Sequence, residues 1–582
     1  MPRRIIAFHA CWIVLLVCAS LSEADGQQHP KPLGVYAHVD IEYALQGCNP
    51  CSQEQQLSYL SELYTKLLGN QAISGLAVGI HWDKIQLSSP NCYNNCVSGT
   101  DANGNSWIFL EGVFAAVEAA AKATGADKSV QLIITPGVDS PSWLLLPDTK
   151  WWCAIRRDPC TTPTCPCVPV ADPPPLSCDK LFTGPGAPAD CGKVTFAKLP
   201  EEQRADPHGG PWQLPLPWNS AYQFYWGEFL KQVNAQYGGK RAFVSIAVAG
   251  PNGASTEMVL PTTANGSFQS LQNPTEQADD AWSKMIAHDF QDKPKYQDTD
   301  EVFIDNWTQT IKVYEQYFPD VTLVLTSNDG EDLPAFPWNT TMPHHPGKEK
   351  LFDKMLFEKD CSQAIQEVNN GTPFTKTDYR SCEAKAEILS RFLTLGDNAK
   401  ATQVGGMRAS SPTCTGDIGL PGVKLLTPGS SLASPPLIGG AAFDYAVSGT
   451  GKTGEKLRNE EGCPPEPSGT CWTTKGPAPN CTVSIEEAAY NALTNFFYGT
   501  PSAPDFGGPC GGILNIQCTA TIQYVQVDFE DVLYANHHPP PIPPLTISCK
   551  SSLQYLLDIA SYDLFTMAGQ PPPVQKPNCS SP

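Results

Sequence analysis

Short apolar runs alternate with amphipathic stretches along most of this chain. The runs GVYAHVDI (34–41), SGLAVGIHW (74–82), VQLIITPG (130–137), AFVSIAVAG (242–250), VTLVLTSN (321–328), VGGMRAS (404–410), IGGAAFDYA (438–446) and IQYVQVDF (522–529) each read as a strand. They are near-continuously apolar, the pattern of parallel strands covered on both faces. Between them, apolar positions recur at helical spacing in EQQLSYLSELYTKLLGN, WIFLEGVFAAVEAAAKATG, AYQFYWGEFLKQVNAQYGG, NWTQTIKVYEQYF, AEILSRFLTL, IEEAAYNALTNFF and SLQYLLDIASYDLF. Several of these stop at Gly or Asn, the usual helix terminators. Eight strands with helices between most of them predict an α/β fold, a (β/α)8 TIM barrel. An open doubly wound sheet is the alternative, and the link between the sixth and seventh strands has no clear helix.

The length beyond a minimal barrel sits in insertions. Residues 151–215 carry Cys153, Cys160, Cys165, Cys167, Cys178 and Cys191 among many prolines, and read as a disulfide-pinned loop over the barrel mouth. No repeat or second domain is evident, so residues 25–582 read as one barrel domain with long disulfide-rich loop insertions.

The N-terminus changes the expected compartment. Arg3 and Arg4 precede an apolar run from Ile5 to Leu21, followed by Ser22, Glu23 and Ala24. That is the layout of a cleaved secretory signal over residues 1–24. Two of the 22 cysteines fall inside it, and the even remainder suits disulfides in an oxidising environment. N-x-[ST] sequons at Asn265, Asn306, Asn339, Asn370, Asn480 and Asn578 fit a secreted, extracellular glycoprotein. A net charge of −21 argues against nucleic acid or anionic membrane as partners, and no later apolar run is long enough for membrane insertion.

In a barrel of this kind the strand C-termini converge on one mouth. The residues at those ends are Asp40, Trp82 with Asp83, Asp139 with Trp143, Glu257, Asn328, Arg408, Asp444 with Tyr445, and Asp528 with Glu530. Carboxylates mixed with aromatic rings suit sugar chemistry, in which rings stack on sugars and two carboxyl groups divide the catalytic roles. Trp218, ahead of the third long helix, joins the set. Any one of these carboxylates also reads as ordinary surface charge, and Trp82, Trp143 and Trp218 as barrel packing.

The stretch LPLPWNSAYQFYWGEFLKQVNAQYGGKRAFVSIAVAGPNGASTEM, with TPGVDSPSWLL and GLAVGIHWDKI before it, resembles barrel glycosidases of glycoside hydrolase clan A. Its cellulase-like and β-galactosidase-like members are the nearest in character, and the resemblance covers roughly residues 32–260. It implies a general acid/base glutamate at the end of the fourth strand, where Glu257 stands, although Thr256 precedes it where the family usually has Asn. It also implies a nucleophilic glutamate at the end of the seventh, where this chain has Asp444.

Three readings of that departure stay open. Asp444 is the nucleophile; or Asp528 or Glu530 at the eighth strand is the partner; or the pair is incomplete and the barrel only binds sugar. The expectation is a secreted O-glycoside hydrolase acting on an oligo- or polysaccharide, with no cofactor and no metal. Asp40, Trp82, Asp139, Trp143, Trp218, Asn328, Arg408, Tyr445, Asp528 and Glu530 would line its subsites. The alternative is a catalytically inactive carbohydrate-binding or cell-surface interaction protein on the same fold. SGTGKTGEKL falls short of a phosphate-binding loop, because Ala446 stands where its first glycine belongs.

Overall fold

In the segment GVYAHVD, Val35, Ala37 and Val39 lie in one apolar cluster, whereas Tyr36 belongs to a second. That period of two is what a strand between unlike surroundings requires. The computed structural model describes residues 29–48, 50–90, 96–145, 193–196, 212–253, 256, 258–262, 301–327, 377–404, 437–443, 522–537 and 552–577, with a few isolated positions between.

The strands are β1 (Gly34–Asp40), β2 (Ile73–His81), β3 (Ser129–Thr135), β4 (Phe243–Ala247), β5 (Thr322–Ser327), β6 (Lys400–Val404), β7 (Leu437–Phe443) and β8 (Ile522–Asp528). Every neighbouring pair is parallel, and β8 pairs back onto β1 through Gly34↔Tyr524 to His38↔Asp528. The sheet therefore curls into a closed α/β barrel. Helices Gln53–Gly69, Ile108–Thr124, Ser220–Tyr237, Glu301–Tyr317 and Thr377–Thr394 follow the first, second, third, fourth and fifth strands. Phe529–His537 and Leu553–Met567 follow the eighth. The helix expected at IEEAAYNALTNFF lies outside the described residues.

Three expectations change. The sixth strand is Lys400–Val404, not 404–410; Ala401 faces the barrel interior while Lys400 holds Glu315 at 2.6 Å, a charged start that hid the strand. The insertion at 151–215 contains an antiparallel ribbon, Lys193–Phe196 against Trp212–Pro215. Its Val194, Phe196 and Leu214 are buried, and Phe196 packs against Trp282. Asn306 is no glycan site in this fold. It is buried in its helix, donating to the Val302 carbonyl at 2.6 Å and accepting from Gln223 at 2.5 Å.

The barrel interior is not apolar throughout, as the strand sequences suggested. Gln526 of β8 bonds Gln403 of β6 at 2.9 Å and donates to Gln131 of β3 at 2.6 Å. Tyr524 donates to Gln403 at 2.9 Å, and Tyr36 lies 2.8 Å from the Ser129 hydroxyl. Tyr36 and Tyr524 meet edge to face beneath the glutamines. Outward positions of the same strands, such as Leu76, Leu132 and Val525, pack under the helices. The helices thus supply the apolar core, and the lumen is closed by a connected polar plug.

No helix of the described residues is long and apolar enough to cross a membrane.

Candidate active site

Inward-facing positions alternate up each strand, so the last inward residue of each stands at the mouth. On β1 the series Tyr36, His38 ends at Asp40, and on β2 the series Ala77, Gly79 ends at His81. The chain turns at once after both. Asp40 caps the short helix Ile41–Leu45, its Oδ1 accepting from the Tyr43 amide at 2.8 Å. That turn delivers Glu42 beside His81, which begins the next short turn, Trp82–Ile85.

The result is an imidazole between two carboxyl groups. His81 Nε2 lies 3.9 Å from Glu42 Oε2, and Nδ1 lies 3.3 Å from Asp139 Oδ1. The His81 amide donates to Glu42 Oε1 at 3.4 Å, fixing the carboxyl to β2. The imidazole is 28 % exposed, whereas Glu42 and Asp139 are 18 % and 13 % exposed. Solvent, or a substrate, therefore reaches the array from the His81 side.

Burial and crowding set the proton affinities. Burial, then the neighbouring Asp40, pushes the Glu42 carboxyl up to about 8. Asp139 rises well above the ordinary carboxylate range, chiefly by burial and then by repulsion from Asp83 and Glu42. Both changes follow the rule that desolvation and like charge disfavour the ionised acid. Asp40, Glu42 and His81 also place donor atoms within 4.8 Å of one another, close enough to share a cation.

The turn bearing Asp139 is tied to the loop after β4. Val138 donates to the Gly253 carbonyl at 3.0 Å, and Gly253 donates to the Val259 carbonyl at 2.7 Å. Gly137 permits the approach: its φ is +71°, and a Cβ there would meet the Gly253 carbonyl oxygen at 1.9 Å.

The other expected site residues fall into three groups. Asp40, Asp139, Asp528 and Glu530 stand at strand ends on β1, β3 and β8. Asp528 accepts from the Glu530 amide at 2.9 Å, at the start of the helix Phe529–His537. Glu530 is buried, and Tyr43 donates to it at 3.4 Å, linking β8 to the β1 turn.

The tryptophans brace the rim instead of lining it. Trp82 follows an inward residue, so it points outward into the helix layer. It is fully buried, 4.9 Å from the Trp226 ring and 5.6 Å from Phe229, and it donates to Gln86 at 2.9 Å. Trp143 packs edge-on against Trp82 and Tyr225, and donates to the Gln86 carbonyl at 3.3 Å. Trp218 is held among Trp282, Phe290 and Phe303. Glu257, Asn328, Arg408, Asp444 and Tyr445 lie outside the described residues.

Sequence reasoning missed Glu42 and His81. Their signal was present: His81 continues the alternation of Ala77 and Gly79, and Glu42 stands two residues past the end of β1.

No family model matches this chain, and no curated protein matches it. Among solved structures, the catalytic domain of beta-amylase from Paenibacillus polymyxa is similar over 75 % of this chain and 92 % of that chain. The identity is 12 % and the TM-score 0.32, too low a likeness to carry either fold or function across. The barrel rests on its own strand pairings.

Proposed function

We propose that this chain is a secreted O-glycoside hydrolase, a complete (β/α)8 TIM barrel with disulfide-rich loops, acting on an oligo- or polysaccharide at its C-terminal mouth. The observation that carries the reading is the Glu42–His81–Asp139 array. A carboxyl that keeps its proton near neutrality donates to a glycosidic or hydroxyl oxygen, and a neighbouring imidazole takes up or returns that proton. Cleavage of an acetal needs in addition a proton donor and a carboxylate at the scissile bond, roles that fall to other residues in this reading.

In this reading Glu257 is the general acid/base and Asp444 the nucleophile, the roles that the clan A resemblance implies. Asp139, with Glu42 and His81, binds sugar hydroxyls and sets the charge of the rim. Asp528 and Glu530 remain the alternative partners for Glu257. The sequence of β7 and the residue after it, LIGGAAFD, supplies Asp444 and no glutamate, which favours the second reading, a sugar-binding barrel without turnover. The domain follows a cleaved leader, residues 1–24, and works outside the cell.

The test is hydrolysis of aryl glycosides and wall polysaccharides by the secreted protein and its Glu257→Gln variant. Turnover in the parent that falls by orders of magnitude in the variant supports the enzyme. Saturable sugar binding with no turnover in either supports the binding protein and removes Glu257 from a catalytic role.

A further inference from the structure

We propose that the Cys48–Cys51 disulfide is a thiol-exchange site, opened by an external dithiol and coupled to the rim of the barrel mouth. The bond joins residues only three apart, with Cα atoms 5.4 Å from each other. On chain-entropy grounds so small a ring stabilises the fold much less than a long one does. It is a weak staple. Both cysteines are also partly exposed, so an attacking thiol reaches them without unfolding the barrel.

The surroundings make the two sulfurs unequal. Cys48 closes the turn Gln46–Cys48. Cys51 immediately precedes Ser52, the N-cap of the helix Gln53–Gly69, whose side chain accepts from the Gln55 amide in a capping box. The positive end of that helix stabilises a thiolate on Cys51 more than one on Cys48. The better leaving group is therefore Cys51.

The exchange then runs in one direction. A thiolate of the reductant attacks Cys48 Sγ, the Cys48–Cys51 bond breaks, and its electron pair leaves on Cys51 Sγ. The second thiol of the reductant attacks its own sulfur in the mixed disulfide and releases Cys48. The dithiol is oxidised to a disulfide, and the chain gains two electrons and two protons.

Opening the bond has a route to the mouth. The helix Ile41–Leu45 lies just before Cys48 and carries Glu42 and Tyr43, which hold the His81 amide and Glu530. The disulfide pins the end of that segment to the start of the Gln53–Gly69 helix. Reduction releases the pin without breaking a barrel strand.

The experiment uses the full secreted chain under native conditions. The protein is titrated with dithiothreitol and alkylated, and its peptides are mapped by mass. Cys48 and Cys51 should be labelled together at a dithiothreitol concentration at least tenfold below that needed for the other cysteines, with the far-ultraviolet circular dichroism unchanged. Hydrogen exchange over residues 41–48 should rise at least tenfold in the reduced protein, while β2 and β3 stay protected. A pair that resists labelling until the chain unfolds, or that opens only with all the others, overturns the exchange site. Selective labelling with unchanged exchange over residues 41–48 overturns the coupling. In Cys51→Ser, the remaining Cys48 thiolate should attack oxidised glutathione, forming a mixed disulfide and releasing one reduced glutathione, and failure to do so in the folded variant argues that the Cys48 sulfur is not open to exchange.

Discussion

Nδ1 of His81 lies 3.3 Å from Oδ1 of Asp139, across the junction between β2 and β3. The ring's other nitrogen faces Glu42 on the β1 turn, so one side chain ties three consecutive barrel strands at their C-terminal ends. Replacing it leaves two buried acids without that neighbour. His81→Leu should lower unfolding stability by about 1–3 kcal/mol, the cost of orphaned buried polar groups. Urea unfolding reads this directly, and an unchanged midpoint would show that the imidazole does not hold the rim together.

The raised Glu42 carboxyl gives stability a definite pH dependence. Between the ordinary glutamate value of about 4.5 and its own value of about 8, the folded protein keeps a proton that the unfolded chain has lost. Stability from this group is therefore full below about pH 4.5 and falls as pH rises towards 8, by up to about 1.4 kcal/mol per pH unit. The groups facing it are Asp40, His81, Lys84, Tyr64 and Asp139. Glu42→Gln should flatten the melting temperature between pH 5 and 8 relative to the parent. Parallel curves for the two proteins would remove Glu42 from the account.

Trp82 separates packing from sugar contact. Its ring is enclosed by Trp143, Tyr222, Trp226 and Phe229, beneath the rim. Trp82→Ala should cost about 3–5 kcal/mol of stability, as deletion of a buried large ring does. Sugar affinity of the folded variant, measured well below its melting temperature, should stay within about twofold of the parent. A large loss of affinity with little loss of stability would make Trp82 a sugar platform after all.

The barrel was legible because strand after strand had the length and apolar content that parallel pairing demands. What the apolar runs concealed was the interior. Gln131 sits among Val, Leu and Ile in β3, Gln526 between valines in β8 and Gln403 in the short strand KATQV, and their partners are 123 to 395 residues away in sequence. No local pattern reports such a contact. The site was legible in part for a similar reason. Asp40 and Asp139 were visible at strand ends, Trp82 is buried as its packing alternative required, and His81 one position before it was overlooked. The position of β6 was obscured because its inward alanine and its lysine resemble a loop more than a core strand.

The glutamine plug makes its own prediction. Gln526→Leu removes the donor to Gln131 and the bond to Gln403, leaving buried amides unmatched. A loss of about 2–4 kcal/mol, for two groups orphaned, is expected in denaturant unfolding. A neutral outcome would mean that the lumen tolerates an apolar centre and that the network contributes nothing net.

The most direct test of the account is turnover at the rim itself. Reducing ends released from a panel of oligo- and polysaccharides should be measured for the parent and for Asp139→Asn, with both proteins shown to be folded by their melting curves. Cleavage of at least one substrate by the parent and a fall of at least tenfold in Asp139→Asn are expected. Equal turnover in the two proteins, or no cleavage of any sugar by the parent, would contradict it.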